Sequence, residues 1–422
     1  MKKVIKKGIK FLVSILVLCL VYSFSLKNYD AYSGEETLQY WKKNKQLFES
    51  VNQNQNLSFK NLDPYLLQNN LFLLGEFHGV KETIKIDADL IKYLNLKVGM
   101  RSHLAEIDFS QAYFLNQYLN TGNEELLDYV LNTWIIYHGH NNKDYREKWI
   151  EIYKLNQSNL PNLKIQVYGI DKIQNLKLTQ KHLKILLKKI NFSDNFPIQD
   201  SLFINWAKEK LPKMILDAKN ENNENNDVIK DLLFIQKNLM EFNSISREDI
   251  LYSNFKALCE RYNLENEKIY GYFGEAHVLQ KQLGKKKDFG VLLKEDKYFG
   301  NKTYTIISRY LDCNMSAPSK YLPFFLKSGK EHTKLGITCD NPFLLYHSGI
   351  AELKELTNSN TNTFFDLNQE NSPYRESNRL IKSFGLMSIV SGMGIENKNC
   401  STSDYVQGLL LIRNSDWAQP IE

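Results

Sequence analysis

Two short apolar segments, about 200 residues apart, end in the same way and constrain the fold more than any other feature. The first reads Leu71-Phe-Leu-Leu-Gly-Glu-Phe-His-Gly79 and the second reads Ile269-Tyr-Gly-Tyr-Phe-Gly-Glu-Ala-His-Val278. Each run is too short for a helix and breaks at a glycine, which is typical of a buried strand that ends in a loop. Because ligands and catalytic groups gather at the carboxyl ends of strands in open α/β sheets, the two segments predict halves of one site.

The chain between and around these segments alternates between strand-like and helical patterns. Three further runs have a strand-like character: Ser102–Ile107, Lys164–Asp171 and Thr303–Arg309. A helical spacing separates the first two strands of the series, and such a strand–helix–strand unit implies parallel strands. Residues 110–160 and 175–265 are helical almost throughout. We therefore predict an α/β domain over residues 61–314 with a mostly parallel β-sheet, flanking helices and a large helical insertion over the carboxyl edge of the strands.

The segments outside this domain are harder to interpret. Residues 26–60 are polar and predict a linker with one amphipathic helix at Thr37–Val51. Residues 315–422 contain several prolines and many asparagines and serines, and predict a C-terminal extension of strand ends and loops that finish the sheet. A final helix is expected near Glu376–Ser388.

The first 25 residues combine a basic start with an apolar run over Phe11–Ser25. This pattern is typical of an export signal, since it is short for a membrane span of roughly 20 residues. An uncleaved membrane anchor is the alternative, and lipidation at Cys19 is a third reading. The sequence therefore predicts an exported protein that is periplasmic, on the cell surface or anchored in the membrane.

The charge balance excludes a nucleic-acid partner once the leader is set aside. The chain has 54 Lys and Arg residues against 48 Asp and Glu residues, and five of the lysines lie in the first ten residues. The remaining 49 basic residues nearly balance the 48 acidic ones, and no basic block appears elsewhere. The expected partners are a small-molecule or peptide substrate, and a membrane through the N-terminal segment.

Acidic and imidazole side chains follow the predicted strands and should converge on one edge of the sheet. They are Glu76, His78, Glu106, Asp171, Glu275 and His277. Such a group either runs general acid–base chemistry or holds a cation with oxygen and nitrogen donors. In the second case the ligands would be Glu76, His78, Glu106 and His277. The pair His138 and His140 is interpreted as part of a polar loop. No Gly-x-Ser-x-Gly motif supports a serine hydrolase.

The order of these motifs resembles that of the erythromycin esterase-like proteins. It is also similar to that of their relatives, the ChaN-like haem-binding proteins and the TIKI/TraB proteins. The shared order is Gly-Glu-x-His-Gly, a strand ending in glutamate, a Gly-x-Asp strand end and Gly-x-x-His. The segments Val167–Asp171 and Ser246–Asn254 add to the likeness, which covers about residues 65–310.

The resemblance implies a role for each member of the cluster. In the esterase-like proteins the first histidine acts as a general base toward water, which places that role on His78. Glu76 and Glu106 would orient and polarise it, and His277 would bind substrate or stabilise charge. Arg247 would reach the site from its helix and steady an oxyanion.

Asp171 and Glu275 complete the expected substrate-binding set. Two departures from the esterases are visible: Glu76 and His78 are separated by one residue instead of two, and the following helix carries lysines where the esterases carry an arginine. The leading hypothesis is an exported or membrane-tethered hydrolase that acts on an ester or related acyl bond and requires no cofactor. The alternatives are a haem- or metal-binding surface protein, a metal-dependent TIKI-like peptidase, and a scaffold without chemistry.

Overall fold

The computed structural model describes residues 2–134, 141–192, 196–220, 226–284, 287–391 and 400–421. The strands are β1 Phe48–Asn52, β2 Leu71–Glu76, β3 Ser102–Asp108, β4 Gln166–Asp171, β5 Ile269–Gly274, β6 Thr303–Leu311, β7 Cys313–Pro318, β8 His332–Ile337, β9 Asp340–Asn341, β10 Leu345–His347, β11 Thr361–Asp366, β12 Ser383–Phe384 and β13 Gly408–Arg413.

The helices alternate with these strands along the first two thirds of the chain. They are α1 Lys2–Ser33, α2 Glu35–Lys43, α3 Asp63–Leu66, α4 Lys81–Val98, α5 Phe109–Thr121, α6 Glu124–Thr133, α7 Lys143–Ser158, α8 Leu176–Lys189, α9 Asp200–Asn220, α10 Asn226–Met240, α11 Arg247–Tyr262, α12 Glu275–Val278, α13 Phe289–Glu295, α14 Ile350–Leu356, α15 Leu386–Ser391 and α16 Thr402–Tyr405.

Eight strands form the main sheet in the order β1-β11-β13-β6-β2-β5-β3-β4. The six strands from β13 to β4 run parallel, and β1 and β11 add an antiparallel edge. The central strands β2 and β5 are buried along their whole length, as expected for a sheet covered on both faces. The prediction of an α/β fold with a mostly parallel sheet and flanking helices is confirmed.

The helices after β3 and β4 form the large insertion. Helices α5 to α7 separate β3 from β4, and α8 to α11 separate β4 from β5. The main hydrophobic core lies on the sheet, while a second apolar cluster holds α8, α9 and α10 together with residues such as Leu183, Phe203 and Leu232. Helices α7 and α11 of the insertion pack in the main core instead, through residues such as Trp149 and Phe255.

The sheet extends beyond the segment predicted to form the α/β domain. Strand β1 precedes that segment, and β11 and β13 follow it, so residues 315–422 contribute two strands to the same sheet. The predicted helix over Thr37–Val51 is wrong in its second half, because α2 ends at Lys43 and Phe48 to Asn52 pair with β11. The predicted helix near Glu376–Ser388 is also wrong up to Gly385, where turns and β12 are found.

The N-terminal helix α1 continues past the predicted leader and packs on the body through its last turns. The carboxylate of Asp30 accepts hydrogen bonds from the Gly349 amide at 3.0 Å and the Tyr346 hydroxyl at 3.2 Å. Its Oδ2 also lies 3.3 Å from Arg379 Nη2. Residues 26–33, predicted as linker, are therefore helical and docked. Within the described ranges, none of the helices combines the length and apolar character that a membrane span needs.

Candidate active site

The carboxyl ends of β2, β3, β4 and β5 bring most of the predicted residues together. Glu76 is the last residue of β2 and is 2% exposed. Its Oε1 lies 2.9 Å from His78 Nδ1 and accepts a hydrogen bond from the Tyr145 hydroxyl at 3.3 Å. A carboxylate on Nδ1 fixes the imidazole tautomer, so Nε2 of His78 carries the lone pair in the neutral form.

Glu106 lies in the middle of the cluster, near the end of β3. The register between β3 and β4 shifts between Ala105 and Asp108, and such a bulge re-aims the side chains around it. Its Oε2 accepts the backbone N–H of Gly274 at 2.8 Å, and its Oε1 lies 2.7 Å from Arg247 Nη2. Glu106 therefore joins the end of β5 to the helix α11.

Arg247, the first residue of α11, forms a bidentate pair with Asp171 at the end of β4. Its Nε and Nη2 donate to the two carboxylate oxygens at 2.9 and 2.6 Å. Asp171 is 1% exposed and is also held by the Gln174 side chain at 2.7 Å. Burial lowers the pKa of Arg247, but the two carboxylates outweigh it and raise that pKa. Arg247 stays cationic and neutralises two buried acids.

A second histidine–glutamate pair mirrors the first on the other side of Arg247. His277 Nδ1 lies 2.9 Å from Glu248 Oε2, which also accepts the Phe289 backbone N–H at 3.0 Å. His277 Nε2 lies 3.3 Å from Arg247 Nη1 and 3.7 Å from Glu106 Oε1. Each imidazole thus has its Nδ1 on a glutamate.

Gly274 separates the two imidazoles at the end of β5. A Cβ atom at this position would lie 3.0 Å from His78 Nε2 and 3.6 Å from His277 Cδ2. Both rings therefore flank the same backbone position, and a side chain there would displace the ring of His78. The predicted convergence of the two motifs on one cleft is present in the structure.

The environment favours the charged forms of both histidines. Burial lowers the pKa of His78. The hydrogen bond to Glu76 and the negative charges of Glu106 and Glu76 together raise this pKa by more than burial lowers it, so the net pKa lies above the usual 6.5. The pKa of His277 follows the same balance: burial lowers it, and Glu248 and Glu106 raise it to a net value above 6.5. Arg247 opposes protonation of His277, because its Nη1 donates only to a neutral Nε2.

Glu275 does not belong to this cluster, so its predicted role in substrate binding is wrong. Glu76 pairs with Gly274 across the β2–β5 ladder, so Glu275 lies one residue beyond the position that matches Glu76. Strand β5 has ended there, and Glu275 is the first residue of α12. Its carboxylate forms a buried ion pair with Arg309 at 2.5 Å instead of joining the histidine cluster.

Residues near the C-terminus hold the loop that follows His78. The carbonyl of Gly79 accepts the backbone N–H groups of Ser316, on β7, at 2.9 Å and of Ala418 at 2.8 Å. Gly79 has a φ of +87°, and a Cβ atom there would lie 2.5 Å from the Ser316 carbonyl oxygen. Only glycine allows this approach, so the glycine after His78 fixes the loop against the C-terminal segment.

A cavity of about 10 Å³, enough for about one water molecule, lies behind Glu76 and Glu106. It is walled by Tyr145, Tyr272 and Lys148, and Lys148 pairs with the fully buried Asp87. The outer side of the cluster faces solvent, where the side chains of His78 and His277 are 21% and 14% exposed. The cluster is therefore open to solvent on its outer side.

The donor set does not fit a divalent cation. Across the ranges the structure describes, no group of three or more His, Cys, Asp and Glu side chains has the arrangement of a metal site. The ligands predicted for that case are Glu76, His78, Glu106 and His277. One of them, Glu106, already binds the guanidinium of Arg247 at 2.7 Å. A second cation beside Arg247 would be repelled. His138 and His140 lie outside the described residues.

Sequence reasoning missed Glu248 and Tyr145. Glu248 stands in the first turn of α11, where an acidic residue is ordinarily explained by the helix dipole. Tyr145 lies in α7, with no motif around it. The contacts of Glu248 with His277 and of Tyr145 with Glu76 depend on how the inserted helices pack, and only the position of Glu248 next to Arg247 offers a local signal.

Comparison with solved structures identifies the fold. A Bacillus cereus protein matches with a TM-score of 0.64 and 16% identity, over 92% of this chain and 99% of its own. A variant of the erythromycin esterase EreC in its open conformation matches with a TM-score of 0.56 and 14% identity, over 87% of this chain and 98% of its own. A succinoglycan biosynthesis protein matches with a TM-score of 0.57 and 16% identity, over 92% of this chain and 99% of its own.

Other comparisons add little to these matches. The haem-binding ChaN of Campylobacter jejuni matches at 14% identity over 69% of this chain and 97% of its own, but its TM-score of 0.29 supports no argument. No protein-family model and no curated protein sequence matches the chain. Over most of its length, the chain has the fold of the erythromycin esterase EreC.

Proposed function

We propose that the protein is a hydrolase in which His78 activates water for attack on an ester or a related acyl bond. The observation that carries the proposal is the pair of Glu–His dyads on either side of Gly274, with Arg247 and Glu106 between them. An oriented imidazole beside a carboxylate is suited to general base catalysis. The EreC-like fold supports the same reaction class.

The reaction proceeds in two proton transfers through His78. Nε2 takes a proton from water, the resulting hydroxide attacks the acyl carbon, and Glu76 stabilises the imidazolium through Nδ1. His277, protonated on Nε2 as its raised pKa favours, donates to the developing oxyanion together with Arg247 Nη1, and both stabilise its charge. The imidazolium then gives its proton to the leaving oxygen as the acyl C–O bond breaks, which yields an acid and an alcohol.

A panel of soluble p-nitrophenyl esters, thioesters and peptides, assayed with and without divalent metals, tests the proposal. We expect turnover of at least one ester without added metal. Addition of haem with recording of the Soret band tests the carrier alternative in the same preparation. Haem binding by a protein that hydrolyses nothing in the panel would overturn the proposal in favour of that alternative.

The acidic limb of the pH profile provides an independent prediction. A general base must be neutral, so kcat/KM should rise with pH and level off above an apparent pKa that exceeds 6.5, as expected from the raised pKa of His78. Glu76→Gln removes the main group that raises this pKa, so the limb should move to lower pH while the plateau falls. Because the two imidazoles interact, the apparent value belongs to the pair.

Gly274→Ala should impair turnover without unfolding the protein. The new methyl group would lie 3.0 Å from His78 Nε2 and would push the ring off its position. A displacement of about 1 Å at a catalytic group costs on the order of a hundredfold in rate. Gly336→Ala is the matched control, since no atom lies within 4 Å of the added methyl group. Equal kinetics for both variants would contradict the assigned position of the base.

We propose further that the protein is exported and contacts the membrane through its N-terminal segment. The basic start and the apolar run over Phe11–Ser25 support this address. The docked Asp30 lies beyond the expected cleavage region, so a mature chain would keep that contact. Cell fractionation followed by intact-mass measurement is the test. A full-length chain in the cytoplasmic fraction would exclude export.

A further inference from the structure

The loop between β7 and β8, residues 319–331, carries a cluster of exposed apolar side chains that we name the hairpin tip. Phe324 is 85% exposed and Phe325 is 71% exposed, and Tyr321 and Leu326 are 47% and 42% exposed. Four large apolar side chains within six residues are unusual on a soluble surface. Exposed apolar side chains also follow one another on the N-terminal helix α1, for example Leu18 and Tyr22, whereas Leu96 at the end of α4 stands singly and requires no explanation.

The hairpin tip is also positively charged. Lys320, Lys327 and Lys330 are exposed and border the apolar side chains, against one acidic residue, Glu331. Aromatic rings next to lysines are the combination found where proteins enter the interface of a membrane. The positive charge selects an anionic surface, to which each lysine near the headgroups adds attraction.

The tip is held by the body of the hairpin. Ser319 Oγ lies 2.8 Å from Thr333 Oγ1, and the backbone N–H of Ser328 donates to the same Thr333 oxygen at 3.0 Å. The strands close at the pair Pro318 and His332. Thr333 of β8 thus holds both ends of the loop, while the rings of Phe324 and Phe325 remain exposed.

The hairpin leaves the sheet at the edge that carries the candidate site. Strand β7 follows the carboxyl end of β6, and its Ser316 bonds Gly79, the residue after His78. The tip begins three residues beyond Ser316. We propose that the hairpin tip docks the protein on an anionic lipid bilayer, with Phe324 and Phe325 in the interface. On the proposed function, the cleft would then take amphiphilic acyl substrates from that surface.

A tryptophan introduced in the tip tests the docking without any assay of turnover. The full chain that carries Phe325→Trp is mixed with two kinds of vesicle, both of which contain brominated lipids. One kind also contains phosphatidylglycerol, and the other contains phosphatidylcholine as its only headgroup. We expect quenching beyond that of the wild-type tryptophans with phosphatidylglycerol, and weaker quenching at high salt. Leu96→Trp is the matched control, at an exposed position at the end of α4, and should show no added quenching.

The lysines are tested in the same background. We expect the lipid concentration at half-quenching to rise by about a hundredfold in a variant that combines Lys320→Gln, Lys327→Gln and Lys330→Gln. Each lysine near the anionic headgroups adds about fivefold to the affinity for the vesicle. Vesicle association without quenching of the Phe325→Trp indole would overturn the proposal and assign contact to another segment, such as α1. A blue shift that depends on protein concentration and needs no lipid would also overturn it, in favour of a second protein molecule on the tip. Vesicle quenching with an inactive protein would leave the docking intact and count against the hydrolase alone.

Discussion

His78→Ala should lower kcat by about 10²–10⁴ and leave KM nearly unchanged, because general base catalysis acts in the transition state. His78 is the histidine whose Nδ1 is oriented by Glu76 and whose Nε2 adjoins the end of β5. The measurement is steady-state kinetics on the ester that is turned over best, with circular dichroism to check folding.

His332→Ala is the matched control for this variant. His332 lies on β8, outside the cluster, and burial lowers its pKa. We expect kcat within a factor of about two of the wild type, since no catalytic contact is lost. Equal losses in both variants would show that the effect comes from stability, and an unchanged rate in His78→Ala would end the case for His78 as the base.

Arg247→Ala should lower the free energy of unfolding by about 3–5 kcal/mol, because removal of one partner leaves buried charges unpaired. The charges concerned are Asp171, 1% exposed, and Glu106, 3% exposed. Urea unfolding at neutral pH, with the midpoint and slope compared to the wild type, measures the loss. The calorimetric transition should move to lower temperature in parallel.

Arg146→Ala is the matched control for Arg247→Ala. It shows how much stability is lost when an arginine is removed whose carboxylate partners are exposed instead of buried. The Arg146 side chain is 28% exposed and that of Arg247 is 25% exposed, so the two arginines are matched. The partners of Arg146 are Glu124 and Asp128, whose side chains are 63% and 50% exposed, and such surface pairs contribute about 1 kcal/mol or less. A similar loss in both variants would refute the importance of the buried carboxylates.

The strands and the main site residues were predictable because their signals are local. The apolar runs before Glu76 and Gly274 have a strand's length and end in glycine-bounded turns, and the structure places both as buried parallel neighbours. Convergence of His78, Glu106 and His277 then follows from the rule that parallel strands share a carboxyl edge.

The failures come from contacts that no local pattern encodes. The predicted helix fails over β1, because the partner β11 lies more than 300 residues away and the stacking of Phe48 on Phe365 is visible only in the fold. The prediction for Glu275 fails because the two motifs look alike in sequence. The ladder offsets them by one residue, and only the register shows which glutamate faces the cleft.

The bonds from Ser316 and Ala418 to Gly79 set the order in which this site is made. The N–H of Glu82, just beyond the same loop, also bonds the side chain of Ser415, 333 residues later. During synthesis, the ribosome releases the loop long before its supports exist. The two halves of the cleft can meet early, but the loop after His78 gains all of these supports only once Ser415 and Ala418 have also emerged from the ribosome. We therefore expect the cleft to reach its final geometry late in synthesis.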